Sequence, residues 1–371
     1  MASLESNTFI TTQIELKRLN FNVGNEKKKS KCEVLHIGER KSCLTLKANN
    51  KIMNHVEEVL YLGDIVNGSQ NNMSNIKDRV SKGVGIINNI FYILENVCYG
   101  SSYFQAAILL RETMLINATI YNGDVWYNIN NKEICELNKV DKIFFSRLTG
   151  MPNTTPFESY FLEFGCLNIE QYLKGRRIIY FHNLVNREKS QMIYRFLLSQ
   201  FLKPVKGDWT LQVLQDFKDL EINFDFQWLE KISKNTFKAL VKQRLQIYAL
   251  KQFNNQKVTH SKMRYLNYQE LKMQDYLHDK NTTTENKKEV LKWRVFMKDF
   301  GTNFRGGRNN IPCPLCKTHQ DQQKLSFVCP FILNRITVKG RYESIFKPQI
   351  DNDVINTLAK ISQIRQDQIK K

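Results

Sequence analysis

The chain has 371 residues, 42% of them hydrophobic and 25% charged, so its composition is that of a globular protein rather than a disordered one. It contains 7 prolines and 16 glycines, few for this length, which argues against a turn-rich all-β fold and favours long helices. The formal net charge of +19 predicts a polyanionic partner. Nucleic acid is favoured over a membrane, because no segment holds the ~18 consecutive apolar residues that a bilayer span needs.

The first 70 residues alternate short strand-like runs with polar, turn-prone stretches. The strand-like runs are CEVLHIG at 32–38 and EVLYLGDIV at 58–66, and they predict a small β element. The basic run EKKKSK at 26–31 lies in a predicted loop, where it is either simply solvated or a contact to nucleic acid. A first domain is therefore predicted over residues 1–70.

From residue 71 the hydrophobic pattern becomes helical. Leu137, Val140, Phe144 and Leu148, for example, recur every three or four residues and predict the buried face of one helix. Similar patterns extend over 71–200, which we predict to be a helical domain.

The remaining residues predict three further regions. Helical segments continue over 201–300, within which HDKNTTTENKKE at 278–289 predicts an exposed linker. A cysteine module is predicted at 301–335 and a polar, frayed tail at 336–371. The predicted fold class is mainly α, with a helical bundle and a small N-terminal β element.

The cysteines and the N-terminal sequence predict an intracellular protein, in the nucleus or the cytoplasm. The N-terminus lacks the basic and then apolar order of a secretory signal. Most of the eight cysteines stand in apolar surroundings without a shared spacing, as expected for reduced thiols rather than a disulfide framework.

An ordered series of segments resembles a known family. The segments are KCEVLHIG (31–38), EEVLYLGDIV (57–66), NIKDRVSKGVGIINNI (75–90), LLRETMLINATIYNGDVWYNI (109–129), the stretch from VDKIFF to FHNLV (140–185) and HSKMRYLNYQELKMQDYL (260–277). Together with the terminal cysteines, they resemble the C-terminal portion of the reverse transcriptases of non-LTR (LINE-type) retrotransposons. The resemblance covers roughly residues 17–330 and implies the end of a polymerase palm, a helical thumb and a zinc-knuckle-like module.

The polymerase centre of that family is missing from this sequence. Such enzymes transfer phosphoryl groups with two metal ions held by aspartates, and no Asp-Asp dipeptide occurs here. The pairs Asp216/Asp219 and Asp351/Asp353 are predicted to be solvated surface acids. The resemblance therefore implies a chain that starts downstream of the catalytic turn, so that Mg²⁺ would act only if the missing palm were supplied.

The resemblance and the net charge together predict a nucleic-acid-binding chain without its own polymerase centre. Its partner would be RNA or a DNA/RNA duplex, gripped through backbone phosphates, with no membrane partner; the oligomeric state is not predicted. Two alternatives remain open: the C-terminal part of an active RNA-directed DNA polymerase whose upstream half is missing, or a non-functional retroelement remnant.

Ten residues are the candidates for nucleic-acid contacts. The hairpin at Tyr61 matches the family's primer grip by position, and Gly63 permits a tight turn. Lys77, Arg79 and Lys82 lie beside the apolar residues of the first predicted long helix, where they could contact phosphates or simply face solvent. The pair Arg176 and Arg177 could contact phosphate or a structural carboxylate such as Glu158 or Glu163. The candidates are Tyr61, Leu62, Gly63, Lys77, Arg79, Lys82, Arg176, Arg177, Arg305 and Arg308.

The terminal cysteines are the candidate metal ligands. Cys313, Cys316 and Cys329 match the family pattern, but the histidine that precedes its last cysteine is replaced here by Leu325. His319 could substitute and complete the three thiolates and one imidazole of a structural Zn²⁺ site. The alternative is a decayed knuckle that holds metal weakly or not at all.

Overall fold

The computed structural model describes residues 33–37, 46–48, 51–68, 71–97, 102–126, 128–300, 303, 311–347 and 349–369. The chain divides between Asp78 and Arg79 into a smaller N-terminal unit and a larger C-terminal unit. The described residues are mainly helical, with short N-terminal strands, which confirms the predicted fold class. Among the described helices, none combines the length and the apolar character needed to cross a bilayer.

The described residues of the smaller unit form three two-stranded pairs. They are β1 (Glu33–Leu35) with β4 (Asn54–Val56) in parallel, β2 (Lys47–Ala48) with β3 (Lys51–Ile52) antiparallel, and β5 (Glu58–Tyr61) with β6 (Asp64–Asn67) antiparallel. The β5–β6 pair confirms the predicted hairpin. Its two-residue turn has positive φ at Leu62 (48°) and at Gly63 (88°), as the twist of a tight hairpin requires.

The helices follow in chain order. They are α1 (Met73–Val97), α2 (Tyr103–Leu110), α3 (Ile116–Thr119), α4 (Asn131–Thr149), α5 (Phe157–Phe164), α6 (Ile169–Val185), α7 (Met192–Leu202), α8 (Trp209–Asp219), α9 (Phe226–Lys231), α10 (Lys234–Thr259), α11 (Asp275–His278), α12 (Thr284–Arg294), α13 (Pro330–Leu333) and α14 (Asn352–Ile369). A π-helical turn, Arg111–Leu115, joins α2 to α3.

Capping residues explain where the longer helices begin. The Asn130 side chain accepts hydrogen bonds from the backbone of α4, and the Glu133 carboxylate accepts one from the Asn130 N–H, which completes a capping box. Asn168 and Gln171 form the same arrangement at the start of α6. The predicted stripe Leu137, Val140, Phe144 and Leu148 on α4 is fully buried, as expected.

Two hydrophobic clusters form the core of the larger unit. The first combines residues from 87–166 with residues from 249–361, and the second takes its residues from 178–245. The long helix α10 contacts both α5 and α6. The first cluster is therefore built from two stretches of chain separated by the segment that forms the second.

Two predicted polar segments contribute to this core. The predicted linker at 278–289 ends in α12, which begins at Thr284 after Thr283 caps the backbone N–H of Asn286. The predicted tail at 336–371 contains α14, which packs on α12 and buries Val354, Ile355, Leu358 and Ile361. The expectation of a frayed tail is wrong for the described part of this segment, because the apolar residues of α14 recur at helical spacing and find a partner.

Candidate nucleic-acid interface and metal centre

The structure brings the three candidate cysteines together. The Sγ atoms of Cys313, Cys316 and Cys329 all lie within 4.8 Å of one another. A tetrahedral zinc site with bonds of about 2.3 Å places its sulfurs about 3.8 Å apart, so the cluster needs little adjustment to hold such an ion. The donor set therefore fits a soft, thiolate-binding metal such as zinc.

A tight loop positions two of these cysteines. The Cys313 N–H donates to the His319 carbonyl at 2.6 Å, and the Lys317 N–H donates to the Cys313 carbonyl at 2.9 Å. Lys317 has a φ of 57°, which turns the chain back beside Cys316. Among the described residues, the group of close ligand atoms comprises the three thiols, and the His319 imidazole is not part of it. The structure thus assembles three of the four predicted ligands.

The thiols of the cluster differ in pKa. Burial raises the pKa of Cys316, but hydrogen bonds from the Thr318 side chain and from the backbone of Thr318 and His319 outweigh it and lower the pKa to about 6. Burial raises the pKa of Cys329 to about 11. One thiol is therefore predisposed to be a thiolate at neutral pH, which is the form that binds metals.

The hairpin candidates lie at an exposed apex. Tyr61 is 65% exposed and Leu62 is 74% exposed, although both are large apolar residues. Within the smaller unit, Asn75 donates to the Asp64 carboxylate and accepts from the Ile65 N–H, so the start of α1 is tied to β6. These contacts hold the apex of the hairpin while leaving its two large side chains accessible.

The three cations of α1 have different environments. Lys77 and Lys82 are exposed. Arg79 is 5% exposed, and its guanidinium lies 4.5 Å from the centroid of the Tyr121 ring. Arg79 is therefore buried against an aromatic ring and does not face solvent with Lys77 and Lys82.

Arg177 is a structural residue. Its Nε and Nη2 donate to the two oxygens of Asp216 at 2.7 Å and 3.1 Å, and both side chains are buried. Lys174 lies 3.3 Å from the same carboxylate and 2.7 Å from that of Asp219. Of the two alternatives for Arg177, the structure therefore shows the structural carboxylate, and the prediction that Asp216 is a solvated acid is wrong. The carboxylate that pairs with Arg177 belongs to Asp216 of α8 and not to Glu158 or Glu163.

Arg176 lies on the accessible side of α6. It donates to the Ile120 carbonyl at 3.0 Å and to the side chain of Asn117, which fixes its position. Burial lowers the pKa of its guanidinium, although the charge of Asp124 acts in the opposite direction. Unlike Arg177, this arginine lines a surface cavity and remains a candidate for contact with a ligand.

Two cavities follow one another along α6 and α10. One, of about 270 Å³, is lined by Arg176 and Ile179 of α6 and by Lys238 and Lys242 of α10. The other, of about 850 Å³, lies at the C-terminal end of α6 and the N-terminal end of α10, and its lining residues include Asn183, Arg187, Lys231 and Lys234. We call this pair of cavities the α6–α10 groove.

The α6–α10 groove is strongly basic. Its lining residues include six cations, Arg176, Arg187, Lys231, Lys234, Lys238 and Lys242, and two acids, Glu112 and Glu230. Both acids already have partners: Glu112 accepts from the Tyr172 hydroxyl, and Glu230 lies 3.4 Å from Lys189. Among the described residues, no carboxylate lies within ion-pair distance of the three α10 lysines. The groove therefore presents an excess of positive charge to a ligand.

The α10 lysines were missed by the sequence prediction, although a signal was present. Lys234, Lys238 and Lys242 are spaced four residues apart, which places them on one face of a helix. Lys234 occupies the first position of α10, where the helix dipole disfavours a cation.

The last two candidates, Arg305 and Arg308, lie outside the described residues. Comparison with known proteins found no matching family model, no matching curated protein and no matching solved structure.

Proposed function

We propose that this chain binds RNA or an RNA–DNA duplex through backbone phosphates, as the resemblance to the thumb of non-LTR reverse transcriptases implies. The observation that carries the proposal is the α6–α10 groove, in which six cations face two acids that already have partners. The three α10 lysines span about 12 Å. That length matches three to four nucleotide steps of about 3.4 Å each.

Two further observations support a role in binding rather than in catalysis. Asp216 and Asp219, the acidic pair of α8, are held by Lys174 and Arg177. They are therefore engaged in ion pairs instead of being open to a pair of Mg²⁺ ions. Phosphate contacts fix a nucleic acid in place but carry no sequence information, so binding should depend little on sequence.

The first prediction concerns the three α10 lysines. The triple variant Lys234→Gln, Lys238→Gln, Lys242→Gln should weaken binding to an RNA–DNA primer–template roughly 30-fold at low salt, since each lost phosphate contact removes released counterions. The slope of log affinity against log salt concentration should become shallower by about 2 to 3. Fluorescence anisotropy with a labelled duplex at several salt concentrations measures both quantities.

A matched triple variant separates the groove from the overall charge. Lys206, Lys280 and Lys360 are exposed lysines that line neither cavity of the α6–α10 groove. Their replacement by glutamine changes the net charge by the same amount and should leave the affinity within a few-fold of the parent. Equal losses of affinity in the two triple variants would show that binding depends on the overall net charge of +19 and not on the α6–α10 groove.

We also propose that the cysteine cluster holds a structural Zn²⁺ ion, with His319 or solvent as the fourth ligand. The second prediction is that the purified chain carries about one zinc per molecule and that Cys316→Ser greatly reduces this content. Replacement of zinc by Co²⁺ should give thiolate-to-cobalt absorption. His319→Ala tests the fourth ligand, because it should weaken zinc binding if the imidazole coordinates and leave it unchanged if solvent does.

The control for this experiment is Cys135→Ser, since Cys135 is an exposed thiol on α4 outside the cluster. It should not change the zinc content. A parent chain that binds no zinc after reduction and dialysis against the metal would instead support the decayed knuckle.

A further inference from the structure

A third cavity combines aromatic rings with positive charge. It has a volume of about 520 Å³ and lies away from the α6–α10 groove, in the part of the larger unit that follows α10. Its lining residues are Ser261, Lys262, Arg264, Tyr265, Phe296, Asn303, Gln322, Gln323, Lys324 and Tyr342. Three of them are cations, and among the described residues that line the cavity none is acidic.

The aromatic rings form a platform with one accessible member. Tyr265 is 45% exposed, and its ring lies 5.6 Å from Phe296 and 4.8 Å from Phe346, so it is supported from below. Phe296 and Phe346 in turn stack at 5.8 Å with an interplanar angle of 17°. An exposed tyrosine held by two other rings is a preorganised surface on which a further planar group can stack.

Arg264 adds a cation to the same platform. Its guanidinium lies 4.8 Å from the centroid of the Tyr265 ring and 5.4 Å from that of Phe296. The side chain of Arg264 is exposed. An arginine beside an exposed aromatic ring is suited to a ligand that has both a flat face and a negative charge, which is the combination found in a nucleotide.

The backbone at Phe296 indicates that the platform is maintained at a cost. Phe296 follows α12 with a φ of 53°, in the left-handed region that favours glycine. A bulky aromatic in this position is uncommon, and glycine would end the helix with less strain. The ring contacts of Phe296 with Tyr265 and Phe346 offset this strain.

We propose that this cavity binds an unpaired nucleotide of a single-stranded nucleic acid, with the base stacked on Tyr265 and the phosphate held by Arg264 and Lys262. The inference deepens the proposed function, because it assigns single-stranded segments to a site separate from the groove that takes phosphates. A base within a duplex has both faces covered by its neighbours, so stacking on Tyr265 requires a base outside a duplex. Stacking depends little on base identity, since every base has an aromatic face.

The experiment uses the full chain and three labelled nucleic acids: a blunt duplex, the same duplex with a three-nucleotide overhang, and a single-stranded oligonucleotide. Tyr265→Leu should lower the affinity for the overhang and for the single strand about tenfold, and should leave the blunt duplex unchanged. Tyr265→Phe keeps the ring and should retain binding. A 2-aminopurine base in the overhang should lose fluorescence on binding to the parent chain, and much less on binding to the Leu variant.

Two further measurements test whether a variant is misfolded and whether the cavity binds a different ligand. Arg264→Gln changes an exposed side chain and should weaken single-strand binding several-fold without lowering the thermal transition. Competition with adenosine monophosphate at millimolar concentration distinguishes a free-nucleotide site, since displacement of the oligonucleotide at low millimolar levels would assign the cavity to mononucleotides. The proposal is overturned if Tyr265→Leu binds each of the three nucleic acids with the same affinity as Tyr265→Phe.

Failure of this inference can be told apart from failure of the proposed function. If the triple variant of the α10 lysines binds the duplex normally while Tyr265→Leu loses the single strand, the groove is wrong and the cavity stands. If the triple variant loses duplex binding while Tyr265→Leu binds the single strand normally, the groove stands as the binding site and the cavity has no role in binding.

Discussion

Replacement of Glu163 by glutamine is expected to lower the free energy of unfolding by about 3–5 kcal/mol, because it leaves a buried arginine without its counter-charge. Glu163 is fully buried and accepts hydrogen bonds from Arg294 Nε at 2.7 Å, from the Tyr268 hydroxyl at 2.6 Å and from the Tyr276 hydroxyl at 3.0 Å. Glutamine has the same shape but one fewer acceptor and no charge. Urea denaturation followed by circular dichroism measures the change.

The charge of Arg294 explains the size of the expected effect. Burial lowers the pKa of the Arg294 guanidinium, but the charge of Glu163 and the hydroxyls of Tyr268 and Tyr276 outweigh it and raise the pKa above its ordinary value. An arginine is not deprotonated in proteins even without a counter-charge, so the guanidinium stays charged in the variant and is left poorly compensated. Glu158, a half-buried acid on the same helix, supplies the control, since Glu158→Gln should change stability by less than about 1 kcal/mol. Equal effects at the two positions would contradict the assignment.

Replacement of Asp216 by asparagine is the second change with a large expected effect. Arg177 and Lys174 are 4% and 7% exposed and both contact this carboxylate, so the variant buries two cations beside a neutral amide. We expect a loss of about 3–5 kcal/mol, as is typical when one partner of a buried ion pair is removed. The midpoint of urea denaturation should fall accordingly, and the near-ultraviolet signal of the surrounding aromatics should weaken.

Asp219→Asn is the matched control for Asp216→Asn. Asp219 lies one turn along the same helix and contacts only Lys174 of the two cations, with a side chain that is 22% exposed. Because solvent screens this pair, its loss should cost about 1 kcal/mol or less. If Asp219→Asn proved as costly as Asp216→Asn, Lys174 rather than Arg177 would be the main charge stabilised by α8.

Local patterns predicted several parts of this fold. The spacing of Leu137, Val140, Phe144 and Leu148 alone identified a buried helical face, and all four are fully buried. The run EVLYLGDIV predicted strand structure over 58–66, whereas the hairpin turn at Gly63 was expected from the resemblance to the primer grip. Both signals are local, because a helical face or a tight turn depends on residues close together in the chain.

Features that depend on tertiary packing were not predicted. Arg177 pairs with Asp216, 39 residues later, because α8 packs beside α6, and no sequence spacing specifies that choice. The lysines of α10 show their common face in the sequence, but they form a groove only where α6 lies alongside. The proximity of Cys313, Cys316 and Cys329 was predicted by their pattern, whereas the position of the His319 ring depends on how the loop between them turns.

The composition of the first hydrophobic cluster has a consequence for synthesis. Phe161 stacks on Phe253, Glu163 binds Arg294, and α14 covers α12, so α5 and α12 gain part of their buried contacts from residues that are synthesised later. A ribosome that adds about 5–20 residues per second needs roughly 10–40 s to pass from α5 to α14. During that interval α4 and α5 expose aromatic surface on the nascent chain. A translation arrest upstream of α14 should therefore leave α12 without its partner helix and part of the first hydrophobic cluster exposed.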